Sequence, residues 1–318
     1  MIIALDAMGG DYAPEEIVAG AVMWAQNFEA MILLVGREEP LRAELTRYDY
    51  DRERIQIFNA SQVMGMDEPV TALRKKQDSS IVVATRLVKA GQADAVLSCG
   101  STGAQMAAAT LILGRMEGIE RPPIVAEVPG ISDQRTLLLD VGANVDCKPQ
   151  QLMQFALLGS VYASALQGIE KPRVGILSNG EEEGKGDKLS TETFALLQDN
   201  IGVNFVGNIE GRDLFFDKAD VVVCDGFVGN ILLKAMEGFA KFIGMGCLAE
   251  IGKMPSLLTR LDNSKVGGAP LLGVNGVSIV CHGSSKREAV FNGIRIAQQC
   301  VATQMVEKQQ LALSGQRK

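Results

Sequence analysis

Short apolar runs recur along the chain, and most end in a turn that leads into a stretch with helical spacing. They are Ile2–Leu5, Met31–Val35, Ile55–Phe58, Ala95–Ser98, Ile124–Val128, Thr136–Val141, Val174–Leu177, Phe205–Val206, Val221–Cys224 and Gly276–Cys281. Runs of this length, bounded by turn residues, read as buried strands. Strands alternating with helices form a parallel sheet covered on both faces, so the expected class is α/β. The 318 residues contain no internal repeat, low-complexity tract or Ser/Pro-rich linker, which argues for one compact unit over 1–318.

In such sheets ligands bind beyond the C-terminal ends of the strands. The most informative of these ends is Val174–Ser190. Its strand runs into a loop carrying Gly180, Gly184 and Gly186, with Lys185 between the last two. Asp187, Ser190 and Thr191 are each able to cap the helix that follows. A strand, a glycine turn and a helix N-terminus together hold anions, because free N–H groups and the helix dipole favour negative charge. The loop is not a nucleotide-binding P-loop. Only Glu181, Glu182 and Glu183 separate Gly180 from Gly184, and Gly186 stands where the metal-binding hydroxyl belongs. A flexible surface loop with a solvated charge run is the alternative.

Four other strand ends share the design. Asp6–Asp11 offers Gly9 and Gly10 for close backbone approach; the alternative is a tight turn with a buried Asp6. Cys99–Gly103 adds the hydroxyls of Ser101 and Thr102 before an Ala-rich helix. Gly142–Asn144 offers Asn144, either facing a ligand or forming the turn. Asp225–Asn230 offers Asn230, either a donor to a ligand oxygen or a helix cap. These five loops are expected to converge on one rim and to hold a phosphate-bearing or otherwise anionic substrate. His282, the single histidine, reads as catalytic, phosphate-binding or a satisfied half-buried imidazole. Ser101 lacks a G-x-S-x-G elbow, which speaks against a serine hydrolase.

The net charge of −7 argues against general nucleic-acid binding. Six cysteines without CxxC spacing read as reduced cytosolic thiols. Met1–Asp6 is strand and turn without a basic n-region, and no run of 18 apolar residues occurs, so a soluble cytoplasmic protein is expected. No His/Cys/carboxylate cluster has ligand spacing, so neither a metal nor another cofactor is expected.

Six segments together resemble the PlsX family: Asp6-Ala-Met-Gly-Gly-Asp11, Cys99-Gly-Ser-Thr-Gly-Ala104, Leu139-Asp-Val-Gly-Ala-Asn144, Ser178-Asn-Gly-Glu-Glu-Glu-Gly-Lys-Gly186, Asp225-Gly-Phe-Val-Gly-Asn230 and Cys281-His-Gly-Ser284. The resemblance spans nearly the whole chain and is weakest over Gly246–Pro270. It implies a phosphate acyltransferase that converts long-chain acyl-[acyl carrier protein] and inorganic phosphate to acyl phosphate and free carrier protein, in fatty acid and phospholipid synthesis. It implies a homodimer, and a three-layer αβα sandwich with a doubly wound, mostly parallel sheet, akin to phosphate acetyltransferases and isocitrate-type dehydrogenases. A membrane glycerol-3-phosphate acyltransferase would use the product. Lys185 and Asn230 match positions that the resemblance marks as catalytic. Asp6, Gly9, Gly10, Ser101, Thr102, Gly103, Asn144, Ser178, Asn179, Gly184, Gly186 and His282 form the expected substrate- and phosphate-binding set.

A short-chain, CoA-dependent phosphate acyltransferase, a nicotinamide-dependent decarboxylating dehydrogenase and a non-catalytic carrier-protein or lipid-binding module are the rival readings. An acidic carrier protein needs a local basic patch on this acidic chain, and Arg74-Lys75-Lys76 or the group Lys253, Arg260 and Lys265 would supply one. Leu248, Ile251, Met254, Leu257, Leu258 and Leu261 form an amphipathic stripe broken at Pro255. The stripe would either touch a membrane peripherally through 247–262 or pack in the core or dimer. The tail Ser314–Lys318 is expected to be disordered.

Overall fold

The computed structural model describes residues 1–132, 134–200, 202–260 and 267–315, with residues 256 and 257 by backbone alone. The strands are β1 (Ile2–Asp6), β2 (Met31–Gly36), β3 (Ile55–Asn59), β4 (Ala95–Ser98), β5 (Val125–Pro129), β6 (Arg135–Leu139), β7 (Arg173–Ser178), β8 (Asn204–Glu210), β9 (Val221–Val223), β10 (Gly268–Pro270) and β11 (Val277–Cys281). The helices are α1 (Glu15–Ala25), α2 (Glu38–Leu45), α3 (Ser80–Lys89), α4 (Thr102–Ala108), α5 (Pro149–Tyr162), α6 (Lys188–Gln198), α7 (Gly226–Ile251), α8 (Ser256–Thr259), α9 (Arg287–Ala302) and α10 (Met305–Gly315). They fall into two compact units, Met1–Arg115 with Ser264–Ala302, and Met116–Asn263 with Thr303–Lys318. Each unit takes two separated segments of chain, so no linker composition marks the division.

The first unit holds a sheet in the order β10-β11-β4-β1-β2-β3, parallel except for β10. Neighbouring residues of a strand face opposite ways. Val96 joins Ala4, Ile81, Val82 and Leu87 in the core beneath α3 and α4, while Leu97 meets Gly293 of α9. Helices α1 and α9 pack together on that second side. Trp24 stacks on Phe28 with ring centroids 4.2 Å apart and meets Phe291 at 5.4 Å. This unit is a helix–sheet–helix sandwich. Each fully buried Leu or Ile contributes roughly 1.5–3 kcal/mol of hydrophobic free energy to it.

The second unit holds the order β5-β6-β9-β7-β8, parallel except for β5. Pro149 opens α5, as its fixed φ favours. Gly159 lets α5 press on Leu139 and Val221. The end of the chain returns here, where α10 packs on α5 and Gln309 Nε2 donates to the Leu158 carbonyl at 3.4 Å.

Four points go beyond or against the sequence reading. The strands form two sheets rather than one. The helix capped by Asp225 runs on to Ile251, so Leu248 and Ile251 belong to its last turns rather than to a separate stripe. The final helix is broken at Gln304, whose φ is +53°, and its two halves belong to different units. Ser314 and Gly315 are helical rather than disordered. The readings of the Leu257 side chain, Leu261, Lys265 and residues 316–318 lie outside the described residues.

Candidate active site

Strands β6, β9 and β7 are parallel neighbours, so their C-terminal ends share one edge of the second sheet. Three of the expected loops leave from that edge. After β7, Lys185 N donates to the Glu182 carbonyl at 2.9 Å and Gly186 N donates to Asn179 Oδ1 at 2.9 Å. The residue that bears the charge is therefore clamped on both sides. Asp187 is the cap of α6, its Oδ1 accepting from Ser190 N at 2.8 Å. Lys185 is exposed, and its ammonium makes no ion pair or hydrogen bond among the described residues. Ser178 Oγ lies buried under the loop near Gly186, without a partner among the described residues. Gly184 is exposed beside Lys185.

Three adjacent glutamates would weaken an anion site. Lys218 offsets part of that charge: its ammonium lies 2.5 Å from Glu181 and 3.0 Å from Asp213. Glu181, Glu210 and Asp213 are the one carboxylate group of metal-binding spacing among the described residues. The Lys218 ammonium already supplies a cation to two of them.

After β6 the loop is built on Asp140, which is fully buried. Asp140 accepts hydrogen bonds from Ile124 N, Ala143 N, Asn144 N and Asn144 Nδ2 at 2.6–3.1 Å. Burial pushes its carboxyl up to about 6, against the pull of those bonds. Asn144 is spent inside this turn: its Nδ2 also donates to the Pro122 carbonyl at 2.9 Å. Of its two expected roles, the turn-forming one accounts for its amide group.

After β9, Asp225 caps α7, with Oδ1 accepting from Phe227 N at 2.8 Å and Oδ2 from Cys147 N at 3.0 Å. Asn230 is therefore not the cap. It stands on the following turn, exposed, with its Cγ 3.3 Å from the place a Cβ on Gly142 would take. Its carboxamide is unspent among the described residues.

The first unit carries a second edge, where β1, β4 and β11 end side by side. Asp6 is buried there and accepts from Ser98 Oγ at 2.7 Å and Met8 N at 3.3 Å; burial raises its carboxyl above the ordinary value. Gly9 packs against that carboxylate, and Gly10 (φ +107°) lies against Cys99. Asp11 N donates to the Gly283 carbonyl at 2.8 Å, tying the first turn to the last. Ser101 caps α4, accepting from Ala104 N at 3.5 Å, and Thr102 is exposed. Gly103 packs under Val70. His282 is exposed rather than half-buried. Its Nδ1 lies 2.7 Å from Ser284 Oγ and 3.2 Å from Ser284 N, so the ring is tied to the turn that carries it.

The structure thus distributes the expected loops over two sheet edges. It gathers Asn144, Ser178, Asn179, Gly184, Lys185, Gly186 and Asn230 on one, and Asp6, Gly9, Gly10, Ser101, Thr102, Gly103 and His282 on the other. Sequence reasoning passed over Asp140, Asp225 and Lys218. Asp140 and Asp225 end strands just before glycine turns, which was the available signal; Lys218 had none. The cysteines beside these loops, Cys99, Cys147 and Cys224, are not poised as nucleophiles. Cys281 and burial hold the Cys99 thiol well above its ordinary value, burial does the same for Cys224, and Cys147 is pushed up to about 12.

A family model described as "Fatty acid synthesis protein" matches residues 1–308. The chain is 63% identical over 316 residues to a phosphate acyltransferase of Syntrophomonas wolfei, covering 99% of each. It is 52% identical to one of Pelotomaculum thermopropionicum, covering 96% of this chain and 93% of the other. In fold it is similar to a phosphotransacetylase from Streptococcus pyogenes, with TM-score 0.64, 19% identity and coverage of 96% and 94%. A 4-hydroxythreonine-4-phosphate dehydrogenase from Klebsiella pneumoniae follows at TM-score 0.55, 15% identity and coverage of 95% and 98%. With the α/β fold and an anion-suited sheet edge already in place, full-length identity at this level means that the chain belongs to the phosphate acyltransferases of the fatty acid synthesis protein family and is an acyltransferase.

Proposed function

We propose that the chain transfers a long-chain acyl group from the thioester of acyl carrier protein to inorganic phosphate, releasing acyl phosphate and free carrier protein. Phosphate is the nucleophile and a thiolate the leaving group, so the reaction needs no enzyme-borne serine or cysteine. What it needs is position and charge. Lys185 holds phosphate and balances its charge. Asn230 donates to the thioester carbonyl as it becomes an oxyanion. The observation that carries this reading is their placement: both are exposed with unspent polar ends, Lys185 in the loop after β7 and Asn230 in the opening turns of α7 after the adjacent strand β9. The test is to incubate acyl-[carrier protein], phosphate and protein, and to trap acyl phosphate as its hydroxamate. Turnover of acyl-CoA but not of acyl-[carrier protein] would favour the short-chain, CoA-dependent alternative.

The protein further acts as a homodimer in this proposal. Val228, Ile231, Ala235, Gly238, Phe242, Met245 and Ala249 follow one another at alternating steps of three and four along α7, and all seven are exposed. That spacing is the seam of a helix that packs on another helix. A peripheral membrane contact, cytoplasmic location and delivery of the product to a membrane glycerol-3-phosphate acyltransferase complete the proposal. No helix among the described residues is long and apolar enough to cross a membrane. Leu248 and Ile251, exposed at the far end of α7, are the side chains available for a lipid surface.

A further inference from the structure

The Lys185 turn rests on a side chain from the edge strand β8. Asn208 is buried, with 6% of its surface exposed. Its Nδ2 donates to the Glu182 carbonyl at 2.7 Å. The same carbonyl oxygen accepts from Lys185 N at 2.9 Å. One oxygen thus takes both the amide that closes the turn and a carboxamide fixed in the interior. The carboxamide has one acceptable orientation, because its flipped form would set Oδ1 against the carbonyl oxygen.

A break in strand register aims Asn208 at the loop. Val174 pairs with Phe205, but the next residue, Gly175, pairs with Gly207, so Val206 is an extra residue in β8. A bulge shifts the side-chain phase of everything beyond it by one position. Gly207 takes φ +98°, where a side chain would be strained. Without the extra residue Asn208 would occupy the other face of the sheet.

We propose that Asn208 is a positioning residue for phosphate, fixing the Glu182–Lys185 turn so that the lysine ammonium is presented in one place. The inference rests on the role given to Lys185 above.

Two variants test it. Asn208→Asp keeps the shape but sets an oxygen against the Glu182 carbonyl; Asn208→Ala removes the donor without placing a charge in the interior, and carries the test if the first fails to fold. In each, kcat/KM for phosphate is expected to fall ~10- to 100-fold, the loss that misplacement of about 1 Å produces. KM for the acyl donor stays within about twofold, since its contacts are untouched. Hydrogen exchange at the Lys185 amide quickens while the amides of β7 stay protected. In a Lys185→Ala background, Asn208→Ala adds less than about threefold, because a residue acting through Lys185 has nothing left to act on. Unchanged phosphate kinetics in Asn208→Ala, or fully additive losses in the double variant, overturns the positioning role. Wild-type turnover in Lys185→Ala itself overturns the reading on which it rests.

Discussion

Gly229 lies so close to Asp140 that a Cβ on it would overlap the Asp140 carbonyl oxygen. A Cβ on Gly226, one turn earlier, would stand 2.7 Å from the Asp140 carboxylate. The start of α7 is thereby seated directly on the buried turn after β6, and Asn230 is the next residue along. Gly229→Ala gains about 1 kcal/mol of helix propensity, but the overlap forces the helix to shift at a cost of about 1–3 kcal/mol. The expected outcome is a net loss of stability with turnover reduced at least ~10-fold, since Asn230 is carried off its position. Asn230→Ala separates the effects. Asp225, not Asn230, caps the helix, so the variant should unfold within about 0.5 kcal/mol of wild type while turnover falls ~10²-fold. Denaturant unfolding and acyl phosphate formation, measured on both proteins, check this. Full turnover in Asn230→Ala would remove Asn230 from the mechanism.

The buried Asp140 carboxyl gives stability an inverted pH dependence. A folded-state value of about 6 lies above the ordinary 3.8 of an unfolded aspartate. Between those values the folded protein binds the proton and the unfolded chain does not. The contribution of Asp140 to stability therefore falls as pH rises through this window, opposite to a salt-bridged aspartate. The span corresponds to roughly 3 kcal/mol. Glu16 is shifted the other way by Arg287, its carboxylate bonded at 2.7 Å, so the whole-protein curve mixes signs. The clean measurement is the difference between wild type and Asp140→Asn from pH 4 to pH 7. Wild type should lose ground relative to the variant as pH rises. A difference that grows in favour of wild type would contradict the assignment.

The strand–turn–helix alternation was legible because most of the strands are short and apolar and many are closed by a glycine turn. Pro149 opens α5 and Asp187, one of the three capping residues read after the Lys185 turn, opens α6, each by local chemistry that needs no tertiary partner. Other features depend on partners far away in the chain. The division into two units was invisible, because each unit takes two separated segments of chain, and the crossing at Ala302–Thr303 falls at the short break between α9 and α10, in a stretch that reads as one helix. Asn144 read as equally suited to a ligand or a turn, and only the burial of Asp140 shows where its amide goes. Lys218 and Asn208 lie 33 and 23 residues beyond Lys185, with no local pattern tying them to it. The Val206 bulge that aims Asn208 is a property of pairing with β7, which a single strand's sequence does not record.

The basic segment before α3 is smaller than it reads in sequence. Lys76 is held by Glu68 and the Val63 carbonyl, each at 2.7 Å. Arg74 and Lys75 are exposed and make no ion pair among the described residues. They follow Val70, which packs on Gly103 at the edge of the first unit's sheet. These two cations are therefore the expected contact for an acidic carrier protein, with Lys76 bound to the fold. Reversing both, Arg74→Glu with Lys75→Glu, should raise KM for acyl-[carrier protein] ~10-fold or more, while turnover of acyl-pantetheine, which lacks the acidic protein, stays as in wild type. The association rate of wild type should fall between about 50 and 300 mM salt, and the variant should lose most of that dependence. Equal losses with both donors would place the defect in the fold rather than in docking.

The exposed face of α7 offers the clearest choice between partners. Phe242 is 72% exposed and Ile251 is 66% exposed, yet they sit differently. Phe242 lies within the alternating three–four seam; Ile251 lies past its end, next to the helix stop at Gly252, whose φ is +65°. If the seam joins two copies of the chain, Ile231→Glu with Phe242→Glu buries charge at the interface and should convert the dimer to monomer in sedimentation, because unpaired buried charge costs several kcal/mol. If the helix end touches lipid, Leu248→Glu with Ile251→Glu should abolish flotation with anionic vesicles while leaving the sedimenting species unchanged. Flotation that survives the second pair removes the helix end as an anchor. A protein that is monomeric before any substitution removes the seam as a dimer contact.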